Sequence, residues 1–365
     1  MTTQQQLLGE GAYAKVYSND SEAIKITPVK NEEDLTAIVR EQYVLRMGLP
    51  HMVPMKECYY RWGSMHITME KADTNLNRWF RRQKGVPRDK IRKIACQILQ
   101  GVFSLHERNV THRDLKPDNI LMKGDTLWIC DFGLSRQFAN DHCVPTGYMV
   151  TRWYRAPEIW KKKGYTKMVD MWSVGCILHK LMHGRVPGKS LEEIEERIPQ
   201  LKAETELDKL VQGLLIMDPK KRWRARQALE FLGQKPITTA VPVVEKTIAS
   251  HTKEREKWFY EFYSRFPTET RVLAHALMIF DRVDEEEENM YSAMAVAGML
   301  FKTRTSKIVH YALKRIHRLE LNPIKTLAAF IPDACTGPQH LSAWETFEGS
   351  FKQYVQKFVS RKRKK

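Results

Sequence analysis

Residues 112–119 concentrate polar and charged side chains in a way that a core strand or a plain turn does not. They read His-Arg-Asp-Leu-Lys-Pro-Asp-Asn and lead directly into an apolar run at 120–122. Asp114 is a candidate general base, because a positioned carboxylate can accept a proton from a reacting hydroxyl. Asn119 and Asp131, which begins an Asp-Phe-Gly triplet, carry the hard oxygen atoms that divalent cations prefer. The spacing predicts a general base beside a divalent-cation site.

A glycine-containing segment near the start of the chain could approach an anion. Residues 9–14 read Gly-Glu-Gly-Ala-Tyr-Ala and lie between two short β-type runs. Glycine lets the backbone come close to phosphates, whose oxygens its N–H groups can then face. A simple hairpin turn is the alternative. Lys25 ends the next strand, where it could contact nucleotide phosphates or merely mark an edge, and Glu41 is the carboxylate that could hold it.

These motifs, followed by Ala-Pro-Glu at 156–158, occur together and in order over residues 7–232, and this set resembles a eukaryotic-type protein kinase. The resemblance implies ATP and Mg2+ as cofactors and assigns roles by position. Asp114 would be the base, Lys116 would steady the γ-phosphate, and Lys25 with Glu41 would hold the other phosphates. Asn119 and Asp131 would bind magnesium. The implied nucleotide contacts are Gly9, Glu10, Gly11, Ala12, Val16, Ala23, Lys25, Met69, Glu70, Ala72 and Leu121.

The activation segment is similar to those of cyclin-dependent and mitogen-activated protein kinases. Thr146-Gly-Tyr148 precedes Val-Thr-Arg-Trp-Tyr-Arg at 150–155. The resemblance makes Thr146 and Tyr148 regulatory phosphorylation sites, requires an upstream kinase for Thr146, and makes Tyr13 a candidate inhibitory site. Arg155 resembles the residue that favours proline after the acceptor, so Ser/Thr-Pro protein substrates are expected.

Three arginines match those that converge on the phosphothreonine in these families: Arg40, Arg113 and Arg136. A phosphate of nearly −2 charge among three guanidinium groups would order the segment through charge-assisted hydrogen bonds. Unrelated surface arginines are the alternative.

The elements that must position these residues indicate an α+β, two-lobed protein kinase fold. Short β-type runs at 7–9, 16–17, 23–26 and 65–69 surround a helix expected over 31–47. A long buried helix is expected over 89–106, and another short strand at 127–130 precedes Asp131. The kinase domain would span 1–233, with the N-lobe at about 1–70 and the C-lobe at about 73–233.

A separate all-α domain is expected after a linker at 234–250. Residues 251–358 contain amphipathic and buried helical patterns, and 271–283 and 293–302 are similar to two helices of a cyclin box. The resemblance makes this domain a candidate activator of the kinase and Lys302 its contact. An unrelated helical docking domain is the alternative. Residues 359–365 form a basic tail, which is a nuclear address, an anion-binding patch or simply a solvated terminus.

Composition limits the classes of function. The 365 residues are 42% hydrophobic and 28% charged, as in folded soluble proteins, and their net charge of +17 favours anionic partners. Six cysteines without a Cys-x-x-Cys pair indicate reduced thiols in an intracellular protein, in the cytoplasm or nucleus. No secretory signal, membrane span or nucleic-acid groove motif is expected. The alternative to an enzyme is a kinase-fold scaffold or docking protein.

Overall fold

The computed structural model describes residues 6–11, 13–19, 21–137, 152–162 and 164–238, together with Ala312. Within these ranges the chain forms a β-rich lobe followed by a mainly helical lobe, as the sequence predicts. The proposed helical domain at 251–358 and the tail at 359–365 lie outside the described residues apart from Ala312, as does most of the linker. No helix within the described ranges has the length and apolar character that a membrane crossing requires.

The first lobe is built on a five-stranded antiparallel sheet with the order β1-β2-β3-β5-β4. Its strands are β1 Gln6–Glu10, β2 Lys15–Asn19, β3 Glu22–Pro28, β4 Met55–Arg61 and β5 Ser64–Glu70. Strand β5 is buried along most of its length and pairs with both β3 and β4. This pairing places Ala23 opposite Met69, near the end of β5, and Lys25 opposite Ile67. Lys25 therefore lies in the middle of β3 rather than at its end, because pairing with β2 and β5 extends the strand to Pro28.

Helix α1, Glu32–Leu45, packs its apolar face against this sheet. Asn31 caps its start, because the side-chain oxygen accepts the backbone N–H of Asp34 at 3.0 Å. Leu35, Ile38 and Val39 are fully buried. The expected helix at 31–47 is therefore confirmed, and its observed end lies two residues earlier.

The second lobe is organised around two buried helices, α3 and α5, which pack against each other. Its helices are α2 Leu76–Arg81, α3 Arg88–Glu107, α4 Pro157–Trp160, α5 Met168–His183, α6 Leu191–Arg197, α7 Glu206–Leu214 and α8 Ala225–Phe231. In α3, Ile91, Ile94, Ile98 and Leu105 recur at helical spacing on the buried side. The expected helix over 89–106 is thus confirmed with one residue added at each end.

Two small antiparallel sheets cross the top of the second lobe and hold the polar segment 112–119 between them. The strands are β6 Thr74–Asn75, β7 Val110–Thr111, β8 Ile120–Lys123, β9 Thr126–Ile129 and β10 Arg136–Gln137. Strand β8 lies between β6 and β9, whereas β7 pairs with β10. The polar segment therefore leaves one sheet and enters the other, so both of its ends are fixed.

Candidate active site

The glycine-containing segment is the turn of the β1–β2 hairpin. The backbone N–H of Gly11 donates to the carbonyl of Ala14 at 2.9 Å, and Glu10 pairs with Lys15 at 3.2 Å. No atom lies within 4 Å of the place where a side-chain carbon of Gly9 would stand. The space beside this strand end is open, which suits close approach by a phosphate group. Ala12 lies outside the described residues.

Lys25 connects the two lobes through carboxylates from different elements. Its Nζ lies 2.6 and 2.7 Å from the two carboxylate oxygens of Glu41 on α1, and 3.2 Å from Oδ1 of Asp131. The side chains of Lys25 and Glu41 are 15% and 5% exposed, whereas that of Asp131 is 49% exposed. The ammonium group is thus shielded on the α1 side and accessible on the cleft side.

The charges in this cluster favour the ionised forms of Lys25 and Asp131. Burial alone would lower the pKa of Lys25, but the negative charges of Asp131 and Glu41 outweigh it and raise the pKa above its ordinary value. The Lys25 charge holds the pKa of Asp131 below its usual range, against the opposing effect of burial. A fixed positive charge therefore stands beside a carboxylate at neutral pH.

Asp170, at the start of α5, holds the polar segment in shape. Its carboxylate accepts the backbone N–H groups of His112 at 2.8 Å and Arg113 at 2.9 Å, and its Oδ2 lies 3.0 Å from Nε2 of His106. Arg113 has a backbone φ of 75°, which costs a non-glycine residue about 1–3 kcal/mol. Asp131 also has a positive φ, of 67°. Two strained backbone positions therefore flank the site, one of them fixed by a fully buried carboxylate.

Asp114 lies in the middle of the segment with one oxygen engaged and the other unused. Its Oδ2 accepts Nζ of Lys116 at 2.6 Å and Nδ2 of Asn119 at 3.3 Å. Its Oδ1 is buried and has no hydrogen-bond partner among the described residues. A buried carboxylate oxygen normally has a partner, so this atom is available to accept a proton from a ligand.

Asn119 and Asp131 present oxygen ligands of the kind that Mg2+ takes. Asn119 donates Nδ2 to the backbone carbonyl of Asp114 at 2.9 Å, which leaves its amide oxygen to face a cation. Asp131 gives one oxygen to Lys25 and is exposed on its other side. Within the described ranges no group of three or more His, Cys, Asp or Glu side chains could form a metal cage. Mg2+ is usually bound by one or two protein oxygens together with substrate phosphates, and Asn119 and Asp131 carry such oxygens.

The residues expected around the nucleotide base lie on strands that face the cleft between the lobes. Ala23 stands opposite Met69 in the β3–β5 pairing, and Val16 stands opposite Lys25 in the β2–β3 pairing. Leu121, on β8 of the second lobe, and Ala72, in the segment that joins the lobes, are half-buried and pack against the core. Together they supply apolar surface from both lobes. Glu70 is half-buried, and its carboxylate pairs with Lys123.

The residues expected to regulate the site are only partly described. Arg40 and Arg113 are buried, at 3% and 6% exposure, and Arg136 pairs through its backbone with Thr111, two residues before Arg113. Tyr13 is 77% exposed at the tip of the glycine-containing hairpin. Thr146 and Tyr148 lie outside the described residues.

The expected specificity residue and a supporting ion pair lie below the cleft. Arg155 is half-buried, with its guanidinium carbon 5.2 Å from the centre of the Trp160 ring. Arg222 makes two parallel contacts with Glu158, at 2.8 and 3.0 Å, and both side chains are buried. The sequence does not indicate the contact of His112 Nε2 with the Cys130 carbonyl, at 3.0 Å, or that of Lys25 with Asp131.

Comparison with known proteins supports the geometry. A family model described as the protein kinase domain matches residues 2–231. Cyclin-dependent kinase-like 5 of Homo sapiens is 35% identical over 198 residues, which are 50% of this chain and 21% of that protein. Mitogen-activated protein kinase PMK1 of Pyricularia oryzae is 33% identical over 258 residues, which are 65% of this chain and 69% of that protein. Serine/threonine-protein kinase KIN28 of Saccharomyces cerevisiae is 29% identical over 280 residues, which are 62% of this chain and 91% of that protein.

These relatives differ in how much of their length this chain matches. It spans about a fifth of the cyclin-dependent kinase-like 5 proteins but more than two thirds of the mitogen-activated kinase. The family model alone covers well over half of this chain and includes the strands, the cleft and the polar segment described above. The chain therefore belongs to the protein kinase domain family, and its kinase domain is of the serine/threonine type, with cyclin-dependent-kinase-like and mitogen-activated relatives.

Proposed function

We propose that the chain transfers the γ-phosphoryl group of ATP to serine and threonine hydroxyls of proteins, at sites followed by proline. The observation that carries this proposal is the buried Oδ1 of Asp114, which has no hydrogen-bond partner among the described residues while Oδ2 of the same carboxylate is held by Lys116 and Asn119. In the transfer, the hydroxyl oxygen forms a bond to the γ-phosphorus while the bond from that phosphorus to the β-phosphate oxygen breaks. The hydroxyl proton passes to Asp114, and ADP leaves.

The chain's own residues would position the reactants and balance their charge. Lys25, held by Glu41, offers a fixed ammonium group to the phosphates, and Lys116 offers a second cation next to the base. Asn119 and Asp131 would hold Mg2+, which when bound neutralises developing charge on the phosphate oxygens. Because phosphoryl transfer needs little covalent help from the protein, such positioning accounts for most of the catalysis.

Replacement of the base tests the activity. Asp114→Asn keeps the size and one hydrogen-bonding oxygen but removes the proton acceptor, so kcat should fall by about 10²- to 10⁴-fold. Asp125→Asn is the matched control, since this aspartate is 89% exposed on the β8–β9 turn and its carboxylate forms an ion pair with Lys90. A peptide phosphorylation assay on the full chain measures both. Unchanged turnover in Asp114→Asn would favour the scaffold alternative, and an equal fall in Asp125→Asn would contradict a specific role of Asp114.

The proposed preference for proline after the phosphorylated serine or threonine rests on the resemblance of the segment around Arg155 to cyclin-dependent and mitogen-activated protein kinases. Trp153, two residues before it, is 51% exposed and lies beneath the ammonium group of Lys189 at 5.8 Å, so this region has accessible aromatic surface. Two peptides that differ only by Pro or Ala after the serine should differ at least tenfold in kcat/KM. Equal rates for the pair would refute the preference while leaving the kinase activity standing.

Regulation follows from the same likeness. Phosphorylation of Thr146 by an upstream kinase would be read by Arg40, Arg113 and Arg136, of which the first two are buried near α1 and the polar segment. The C-terminal residues 251–358 would act as a fused, cyclin-like activator.

For localisation we favour the cytoplasm or nucleus, with residues 361–365 as a nuclear address. Imaging a fluorescent fusion with and without those five residues tests the address.

A further inference from the structure

Positive charge in the described lobes is concentrated on one short stretch of surface. Between residues 76 and 93 the chain has eight Lys and Arg residues and a single acidic residue, Asp89. Most of the basic side chains are exposed on α2, on the loop after it, or on the first turns of α3. We call these exposed residues the α2 basic surface: Arg78, Arg81, Arg82, Lys84, Arg88 and Lys93.

Most members of this surface have no counter-charge among the residues that the structure describes. Among the described residues no carboxylate lies within ion-pair distance of Arg81, Arg82, Lys84 or Lys93, and Arg88 reaches Asp208 only at 4.0 Å. By contrast, the neighbouring half-buried residues Lys90 and Arg92 are paired with Asp125 and Glu206. Basic residues near the end of α2 stabilise its dipole, but that effect is confined to its last turn. It therefore does not explain the loop residue Lys84 or Lys93 on α3.

The α2 basic surface begins at the catalytic cleft. Asn77 on α2 donates to the carboxylate of Asp118 at 2.9 Å, and Asp118 belongs to the polar segment that contains Asp114. The guanidinium group of Arg78 lies 3.5 Å from the carbonyl of Leu8 on β1, across the mouth of the cleft. A polypeptide that leaves the cleft along α2 would therefore meet this surface within a few residues.

We propose that the α2 basic surface binds acidic stretches of protein substrates that are phosphorylated in the adjacent cleft. The surface offers only charge and hydrogen-bond donors, which complement carboxylate side chains. Nucleic acid fits less well, because single strands also need aromatic faces on which bases can stack. Trp79 and Phe80 are half-buried against the core, and Lys180 lies 5.8 Å from the centre of the Phe80 ring.

This proposal rests on the proposed function, because it names the class of protein substrate that the same site would phosphorylate. Its test measures binding and does not need catalysis. Two fluorescent Ser-Pro peptides are compared, one with five glutamates beside the acceptor and one with five glutamines. Anisotropy titration of the full chain should give about tenfold tighter binding of the acidic peptide at low salt, as for three exposed ion pairs. The preference should shrink strongly at about 1 M salt, where screening acts within roughly 3 Å.

Matched variants locate the binding. Arg81→Gln, Arg82→Gln and Lys84→Gln together should abolish the preference while leaving kcat for the glutamine peptide unchanged. The control carries Lys202→Gln, Lys220→Gln and Lys221→Gln, which remove the same charge from exposed positions near α7 and α8 and should keep the preference. Equal binding of the two peptides by the wild type, or a preference that persists in the first variant, would overturn the proposal.

Two other occupants give different results. One alternative is nucleic acid. If a single-stranded DNA of equal charge binds tenfold more tightly than the acidic peptide, and the variant with Arg81, Arg82 and Lys84 replaced removes this advantage, the proposal fails. The other alternative is the chain's own acidic run. If replacing the glutamates at 285–288 by glutamine strengthens peptide binding, that run occupies the surface and the proposal fails as well. Failure of kinase activity with intact acidic binding would instead contradict the proposed function alone.

Discussion

Lys25 neutralises two carboxylates, those of Glu41 and Asp131. Loss of the lysine and loss of the Glu41 charge should therefore have unequal effects on stability. If Lys25 is removed, Glu41 is left nearly buried without a cation and Asp131 also loses its contact. If Glu41 is neutralised, Lys25 still has Asp131 at 3.2 Å. Because breaking a buried pair leaves an uncompensated charge, loss of the lysine costs about 3–5 kcal/mol. Loss of the glutamate charge should cost less.

We therefore expect Lys25→Met to lower the midpoint of thermal unfolding of the full chain more than Glu41→Gln does. The double variant should cost less than the sum of the two, since both changes remove the same pair. Burial raises the pKa of Glu41, and in Lys25→Met the ammonium charge that opposes this effect is gone. As pH falls, the variant can protonate Glu41 and remove the uncompensated buried charge, whereas the wild type loses the stabilisation that comes from the lowered pKa of Asp131. The difference in unfolding midpoint between wild type and Lys25→Met should therefore be largest at high pH and narrow as pH falls. Equal effects of the two single variants would contradict this account.

At the scale of elements, the junction of α7 with the segment before α8 is packed without spare room. A side-chain carbon on Gly213 would lie 2.3–2.7 Å from ring atoms of Trp223. That ring is held by a tilted contact with Phe231, at 5.0 Å between ring centres, and by the bond from its backbone N–H to the Gly213 carbonyl at 3.0 Å. The indole therefore cannot move aside at low cost.

Gly213→Ala should destabilise the kinase domain by about 1–3 kcal/mol, the usual range for overpacking a core. Gly85→Ala is the matched control, because no atom lies within 4 Å of its added carbon and its backbone needs no positive φ. That control should leave stability unchanged or raise it slightly. Thermal unfolding of the two variants measures the difference, and a Gly213→Ala protein as stable as Gly85→Ala would show that α7 can shift.

Elements whose signals are local could be predicted from the sequence, and elements made by long-range pairing could not. Apolar residues at helical spacing predicted α1 and α3 to within two residues at each end. Strand β4 was missed, because Lys56 and Glu57 interrupt its apolar pattern while its position is fixed by pairing with β5. The two-residue strands β7 and β10 exist only because chain segments 25 residues apart meet.

The same division holds for the candidate site. The order of its motifs was sufficient to single out Asp114, Lys116, Asn119, Lys25 and Glu41, since each residue belongs to a short recognisable segment. Which atoms are engaged was not predictable, because it depends on how distant segments are placed. The free Oδ1 of Asp114 and the contact between Arg78 and Leu8 are the clearest cases.

At the scale of the whole molecule, the net charge of +17 is unevenly distributed. Residues 1–240 carry +11, residues 241–365 carry +6, and the last five residues supply +5 of the latter. Within the kinase domain, the stretch 76–93 alone carries +7. More than half of the charge excess within residues 1–240 therefore lies on one stretch beside the cleft, and this favours a local partner over general attraction to polyanions.

The last prediction concerns the covalent link between the kinase domain and residues 244–365. Ile237 is anchored to α3, because its backbone N–H and carbonyl bond the side chain of Gln100 at 2.9 and 3.0 Å. A chain that ends at residue 243 therefore keeps this anchor. If the C-terminal part activates the kinase by stabilising the α1 position that pairs Glu41 with Lys25, the truncated chain should lose at least tenfold in kcat/KM while unfolding at a similar temperature.

A tether supplies a partner at roughly millimolar effective concentration, so a separate 244–365 fragment should restore activity only as its concentration approaches that range. Peptide phosphorylation by the truncated chain, with and without the fragment, measures this. Undiminished phosphorylation by the truncated chain would refute self-activation. Full rescue at a micromolar fragment concentration would show that the two parts bind tightly without the covalent link. The link would then ensure one activator for each kinase domain rather than strengthen their binding.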